Sequence, residues 1–296
     1  MERYLIFLAM LALVLGAGCG RDAAVPPANP MEIVWTPGMK TAETALDAGR
    51  YAEAAGLYTT QLAAERARPV PRNRQLSFLH SELGTAHVNA GQPGKGLEHF
   101  LEALVIDRGV LGEDHPLVAE SYNNIGEVHR QRGGPDKALE YFQKALAINL
   151  RQLGGEDPRV ALTYNNIGAA HFDKGELDQA LGYFQKALVI DLGSGANKAD
   201  VAADSNNIGE VYARKGEHDK ALEFFRGALA LWTEQLGPDH PTVALCYCNM
   251  AFLHEAKKDL PKARKLLEKA HAIQTRQLGP DHPQTRDTKA SLDLVK

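Results

Sequence analysis

Three cysteines in 296 residues are too few for a disulfide framework or a four-cysteine zinc site. Aromatic residues are scarce too, at 7% of the chain, and leucine and alanine dominate the apolar share, a mixture that suits helices better than sheets. Basic charge is not in excess. Lysine and arginine number 33 against 37 acidic residues, a net charge of −4. Little therefore attracts a polyanionic backbone, and nucleic-acid binding is disfavoured. The apolar run Leu5–Leu15 has 11 residues, well short of the roughly 20 that a membrane-spanning helix needs. The glycine motifs that cradle phosphates or dinucleotides, HExxH and a serine-centred elbow are all missing. What is present, 44% apolar and 24% charged residues, describes a folded helical chain with room for one large domain or two ordinary ones.

The short apolar run has a context. Arg3 precedes it and Gly16-Ala17-Gly18-Cys19 follows it. A charged start, a brief apolar stretch and small residues before a cut site make residues 1–18 a signal peptide. The stretch Leu15-Gly16-Ala17-Gly18-Cys19 resembles the lipobox of bacterial lipoproteins, although the leucine stands four places before the cysteine where three is usual. The resemblance implies acylation of Cys19, a lipid anchor in a membrane, and a place in the bacterial cell envelope facing the periplasm, or otherwise outside the cytoplasm. An ordinary signal peptide with an incidental cysteine is the alternative. Residues 19–36, with Ala-Ala-Val-Pro-Pro-Ala-Asn-Pro at 23–30, then read as a semi-rigid tether.

The rest of the chain repeats itself. Tyr122-Asn123-Asn124-Ile125-Gly126 returns 42 residues later as Tyr164-Asn165-Asn166-Ile167-Gly168, then 41 residues later as Ser205-Asn206-Asn207-Ile208-Gly209, and again as Tyr247-Cys248-Asn249-Met250-Ala251. Lys137–Leu146 is likewise echoed by Gln179–Leu188, and Leu-Gly-x-Asp-His-Pro recurs at 111–116, 236–241 and 278–283. Each unit reads as two helices. Ala161, Tyr164, Ile167, Gly168 and His171 form one helical stripe, Gly175 interrupts, and Ala180, Leu181, Phe184, Ala187 and Leu188 form the next. Proline opens the first helix of most units, where its missing N–H costs nothing. One connector, 192–200, lacks His-Pro and is a residue short, and its glycines predict a looser stretch at 193–199.

These landmarks resemble the tetratricopeptide repeat. The small residue of helix A corresponds to Gly84, Gly126, Gly168, Gly209 and Ala251, and the aromatic of helix B to Phe100, Phe142, Phe184 and Phe225, with Leu267 last. The 42-residue period exceeds the usual 34 by about two helical turns, and with the Asn-rich helix A it is similar to the repeats of kinesin light chains. The resemblance implies an all-α fold, an α-solenoid forming a right-handed superhelix. In it residues 37–73 are a degenerate N-terminal repeat, 74–283 five full units and 284–296 a C-terminal capping helix. Helix A of each unit would line a groove that binds a protein or peptide segment.

Within that groove the implied contact residues centre on Asn124, Asn166, Asn207 and Asn249, which share one register of helix A. An Asn amide can donate and accept at once, so a row of them can hold an extended backbone without reading its side chains. The alternative is that they satisfy neighbouring helices across repeats. Around them stand Asn123, Asn165, Asn206, Glu127, Arg130, Glu210 and Arg214. The Lys/Arg clamp that some repeats use for a C-terminal carboxylate is replaced by Ser81, Glu82, Asn124 and Asn166, which favours an internal segment. His87, His129, His171 and His254 share one repeat position and are expected to pack rather than bind metal, and His115, His240 and His282 precede proline in turns. No cofactor and no catalysis are expected. A self-associating envelope protein, or an enzyme with a site between repeats, are the competing readings, and the oligomeric state is open.

Overall fold

Proline sets where the first helix of most pairs begins, and glycine sets where it ends. In the computed structural model, which describes residues 33–295, the chain divides into two compact units at Gly154/Gly155. The expected signal peptide, the expected lipidation site Cys19 and most of the expected tether lie outside the described residues. The first unit contains α1 (Pro37–Asp47), α2 (Tyr51–Arg66), α3 (Asn73–Asn89), α4 (Pro93–Leu111), α5 (Pro116–Gln131) and α6 (Pro135–Leu153). The second contains α7 (Pro158–Asp173), α8 (Leu177–Ser194), α9 (Lys198–Arg214), α10 (His218–Leu236), α11 (Pro241–Ala256), α12 (Leu260–Gln277) and α13 (Pro283–Leu294). No strand occurs among the described residues. Consecutive helices pack as hairpins, α3 on α4, α5 on α6, α7 on α8, α9 on α10 and α11 on α12. The fold is the all-α solenoid of stacked helical hairpins.

At the starts of α5, α7, α11 and α13 a side chain accepts from an orphan N–H group. The Nδ1 atoms of His115, His240 and His282 accept from the backbone N–H two residues on, at 3.2, 3.2 and 3.3 Å. Asp157 does the same for Arg159 at 2.9 Å. These turn histidines are therefore helix N-caps, with proline following at the first helical position. Each helix A ends with the chain passing through the left-handed region. Gly91, Gly133, Gly175 and Gly216 sit there at φ 74–77°, and Lys258 occupies the same point of the last hairpin at φ 61°.

The connector expected to be looser is short. Gly193 lies inside α8, Gly195 closes that helix in the left-handed conformation, and Asn197 caps α9 by accepting from Ala199 and Asp200 at 2.7 and 3.1 Å. An asparagine cap thus replaces the His-Pro device, with one residue between the two caps.

Inside each hairpin one contact fixes how closely the helices approach. A Cβ built on Gly84, Gly126, Gly168 or Gly209 would stand 2.5, 2.5, 2.7 or 2.8 Å from the ring of Phe100, Phe142, Phe184 or Phe225. The rings are at most 4% exposed, and burying one contributes about 2–3 kcal/mol. In the last hairpin Leu267 replaces the ring, and Ala251 replaces the glycine. The smaller side chain on helix B leaves the space that the extra methyl on helix A fills.

Candidate functional site

The first helices of adjacent hairpins in the second unit, α7, α9 and α11, lie side by side and are joined by amides. Asn207 Nδ2 donates to Asn165 Oδ1 at 3.4 Å, and Asn249 Nδ2 donates to Asn206 Oδ1 at 3.3 Å. The ladder residue of one hairpin therefore reaches the asparagine one position earlier in the hairpin before it. The chains continue, since Asn165 Nδ2 donates to Asp204 Oδ1 and Asn206 Nδ2 donates to Glu210 Oε1 at 2.8 Å. At least part of the asparagine register is thus spent between repeats. Each of these ladder bonds is long and uses one of two N–H groups. Asn124, Asn166, Asn207 and Asn249 are all half-buried. In the first unit Asn124 borders a cavity of about 40 Å³ shared with Thr85, Phe100 and Glu127.

Three residues expected on the open face are closed off. Asn123 and Asn206 are buried, because the position before the ladder turns toward the neighbouring first helix. Arg130 is 8% exposed and forks onto Glu127, with two N–H···O bonds of 2.8 Å. A bidentate pair so placed holds its own helix and is not an open arm for a ligand. Arg214 is exposed, yet it donates to the Phe172 carbonyl at 2.8 Å and lies 4.6 Å over the Phe172 ring, tying α9 to α7. Glu210 is half-buried and accepts from Asn206. Asn165 is half-buried between Asp204 and Asn207. The layer also shows two large apolar side chains that the residue reading missed, Leu162 at 50% and Phe252 at 45% exposure. Exposed apolar positions on helix A were visible in the register, one at six residues before the small residue and one at the residue after it.

The histidines pack. His129 stacks on Tyr141 at 5.4 Å and 5°, and His171 on Tyr183 at 5.3 Å and 5°. His87 stacks on His99. The Lys144 ammonium stands over Tyr122 and Tyr141, and Lys186 over Tyr164 and Tyr183, one cation–π clasp per hairpin. His80, 2% exposed, lies between Arg66 and His99 at 3.0 Å from each, and burial followed by the nearby His99 and Arg66 charges pushes it down to about 4. It is a neutral link in a packed chain. No group of three or more His, Cys, Asp or Glu side chains able to hold a metal occurs among the described residues. Cys246 is buried with its Sγ on the Phe225 carbonyl at 3.2 Å, and burial pushes its thiol up to about 12. No helix among the described residues is long and apolar enough to cross a membrane.

The hairpin, its glycine–phenylalanine contact and the left-handed turn together define a class of helical repeat. The tetratricopeptide repeat matches at residues 74–151, 130–192, 200–261 and 247–292, and the chain belongs to that family. Such repeats generally serve as protein-interaction scaffolds. Among solved structures, BtubC (BKLC) from P. vanneervenii is similar at 25% identity and a TM-score of 0.56, over 66% of this chain and 78% of that one. A Podosopora anserina chain of nearly identical, kinesin light chain-like TPR repeats aligns at 20% identity and a TM-score of 0.56, over 68% and 97%. The Cut9–Hcn1 hetero-tetramer of the APC/C aligns at 20% and a TM-score of 0.64, over 87% of this chain and 42% of that one. The likeness of the last two is one of fold. No curated protein matches the chain.

Proposed function

We propose that the chain is a scaffold of the bacterial envelope, held to a membrane by an acylated Cys19, that binds an extended segment of another protein along the first-helix layer and has no catalysis of its own. One observation carries the binding reading. On α7, α9 and α11 the half-buried amides of Asn166, Asn207 and Asn249 share a layer with the exposed Leu162 and Phe252. Amides that can pair with a peptide backbone, beside apolar side chains left in water, suit an extended segment with apolar residues. The export signal and Leu15–Cys19 support the anchor.

The test is affinity capture from the envelope fraction with the full chain as bait. Two variants run beside it, Asn207→Ala with Asn249→Ala, and Leu162→Glu. The first removes two long amide bonds, each a net contribution of about 0.5–1 kcal/mol, and the second changes a half-exposed side chain, so both should fold. The expected result is that proteins captured by the natural chain are lost from both variants. Capture of the same proteins by all three forms would remove the first-helix layer from the explanation. Cys19→Ser should release the protein from membranes, and persistence there would refute the anchor.

A further inference from the structure

The junction between the hairpins α7–α8 and α9–α10, where α8 packs on α9, carries two buried acids. Asp191 lies six residues before the cap residue Asn197 and Asp204 seven after it, so the antiparallel return of the chain brings them level. Asp204 is fully buried and Asp191 is 5% exposed. Asp204 Oδ1 accepts from Asn165 of α7, whereas Oδ2 has no donor from any other residue. The Asp191 carboxyl is a side-chain neighbour of the Asp204 carboxyl. Two carboxylates have only acceptors to offer each other, so the contact is satisfied only when one carries a proton.

The charges around the pair give no relief. Asp200, on the same helix as Asp204, adds a third acid. α7 faces Asp204 with the Asn165 amide, and the Thr163 hydroxyl is turned onto the Arg159 carbonyl. The basic side chains nearby are engaged elsewhere. Arg159 holds Asp157 at 2.8 Å, and Lys198 at the start of α9 pairs with Glu234 of α10. On α10, Lys220 pairs with Glu217 and Asp219 with Lys257. Burial above all, and then the neighbouring acids, push both carboxyls upward from the usual carboxylate range.

The other connections between hairpins avoid this. The position of Asp204 holds Ser121, Thr163 and Cys246, and the position of Asp191 holds Asn149, Trp232 and Gln274. Where an acid does recur it has a basic partner: Asp107 pairs with Arg74 at 2.6 Å, and Glu65, at the same register one repeat earlier, pairs with Arg72 at 2.5 Å. The acid pair flanks the shortened connector between two hairpins. It is also wired to the asparagine layer, through Asn165, which accepts from Asn207.

We infer that the α8–α9 junction is a proton-held joint between two hairpins: a proton shared between Asp191 and Asp204 keeps the two helices closed, and its loss loosens them. The sign follows from the raised carboxyls. A folded state that holds its proton to higher pH than the unfolded chain is favoured in acid, and it loses that advantage as pH rises from the ordinary carboxylate range upward. The joint closes in an acidified surrounding and relaxes in an alkaline one. The inference stands apart from partner binding and needs no partner to test.

Hydrogen exchange of the full chain at pH 5 and pH 9, corrected for the intrinsic pH dependence of amide exchange, reads the joint directly. The expected result is a tenfold or greater loss of protection at pH 9 in peptides from 177–214, with little change in 241–277. Asp204→Thr and Asp191→Asn, each copying a residue another hairpin uses, should abolish that loss and melt higher than the natural chain at pH 9 but not at pH 5. Infrared difference spectra of the natural chain give a second measurement that needs no variant, a protonated-carboxyl band at neutral pH. Equal pH dependence in the natural chain and both variants, a loss of protection spread evenly over all hairpins, or no protonated carboxyl at neutral pH would each overturn the inference.

Discussion

Alanine at position 168 tests whether the glycine–phenylalanine contact sets the hairpin. The new Cβ would stand 2.7, 2.8 and 3.2 Å from three carbons of the Phe184 ring. Carbon atoms rest at about 3.5–4.0 Å, so the ring or the helix must retreat by about 1 Å. Ala161, Ile167, Ala180 and Ala187, all within 1% of full burial on the two helices, leave little space for that movement. Overpacking of this kind costs about 1–3 kcal/mol. Alanine also gains about 1 kcal/mol of helix propensity over glycine, which masks part of the loss. Gly227 supplies the correction, because it lies within α10 and its Cβ would meet nothing within 4 Å. Gly168→Ala should therefore be about 1–3 kcal/mol less stable than Gly227→Ala, read from urea midpoints. Phe184→Leu copies the Leu267 of the last hairpin, where alanine is accommodated. In a double-mutant cycle, Gly168→Ala with Phe184→Leu should be more stable than the sum of the single changes by about 1–3 kcal/mol. Simple additivity, or equal stability of the Gly168 and Gly227 variants, would refute the packing argument.

Two further outcomes are expected. Lys258 holds a left-handed φ of 61° where the other hairpins have glycine, so Lys258→Gly should raise stability by about 1 kcal/mol in urea titration. The His240 cap works only while Nδ1 carries a lone pair, and burial holds that imidazole below its ordinary value. The unfolded chain then takes up the proton first, so this stability is present above about pH 6.5 and drains away as pH falls through the lower folded value. Thermal scans from pH 7.5 to pH 5 should show His240→Asn losing less stability than the natural chain, since an asparagine cap such as Asn197 does not titrate in that range.

The hairpins were legible in the sequence because their signals are local and repeated. Proline at 116, 158 and 241, glycine at 133, 175 and 216, and the three-and-four spacing of apolar residues each act within one or two turns. The histidines of the connectors were read as turn residues, and the caps give that role its atoms. What escaped the reading depends on rotation between hairpins. Nothing in the spacing shows that Asn207 meets Asn165 rather than Asn166, because adjacent residues on a helix point about 100° apart. The same blindness placed Arg130 on an open face, when its partner Glu127 lies three residues earlier and Arg130 itself is buried. That Gly193 is helical and Gly195 is the left-handed cap depends on where α8 ends, which the letters do not show. Asp191 and Asp204 are unremarkable as letters, and only the antiparallel return of a shortened connector makes them neighbours.

The exchange of glycine–phenylalanine for Ala251–Leu267 bears on how such an array can grow. A duplication that copies an intact hairpin carries both halves of the fit with it. A crossover that joins the first helix of the terminal hairpin to the second helix of an inner one sets a methyl group against a phenyl ring. Recombination, natural or engineered, is therefore least damaging when its breakpoints fall in the Leu-Gly-x-Asp-His-Pro connectors, and chimeras cut at the inner turn should be the ones that misfold.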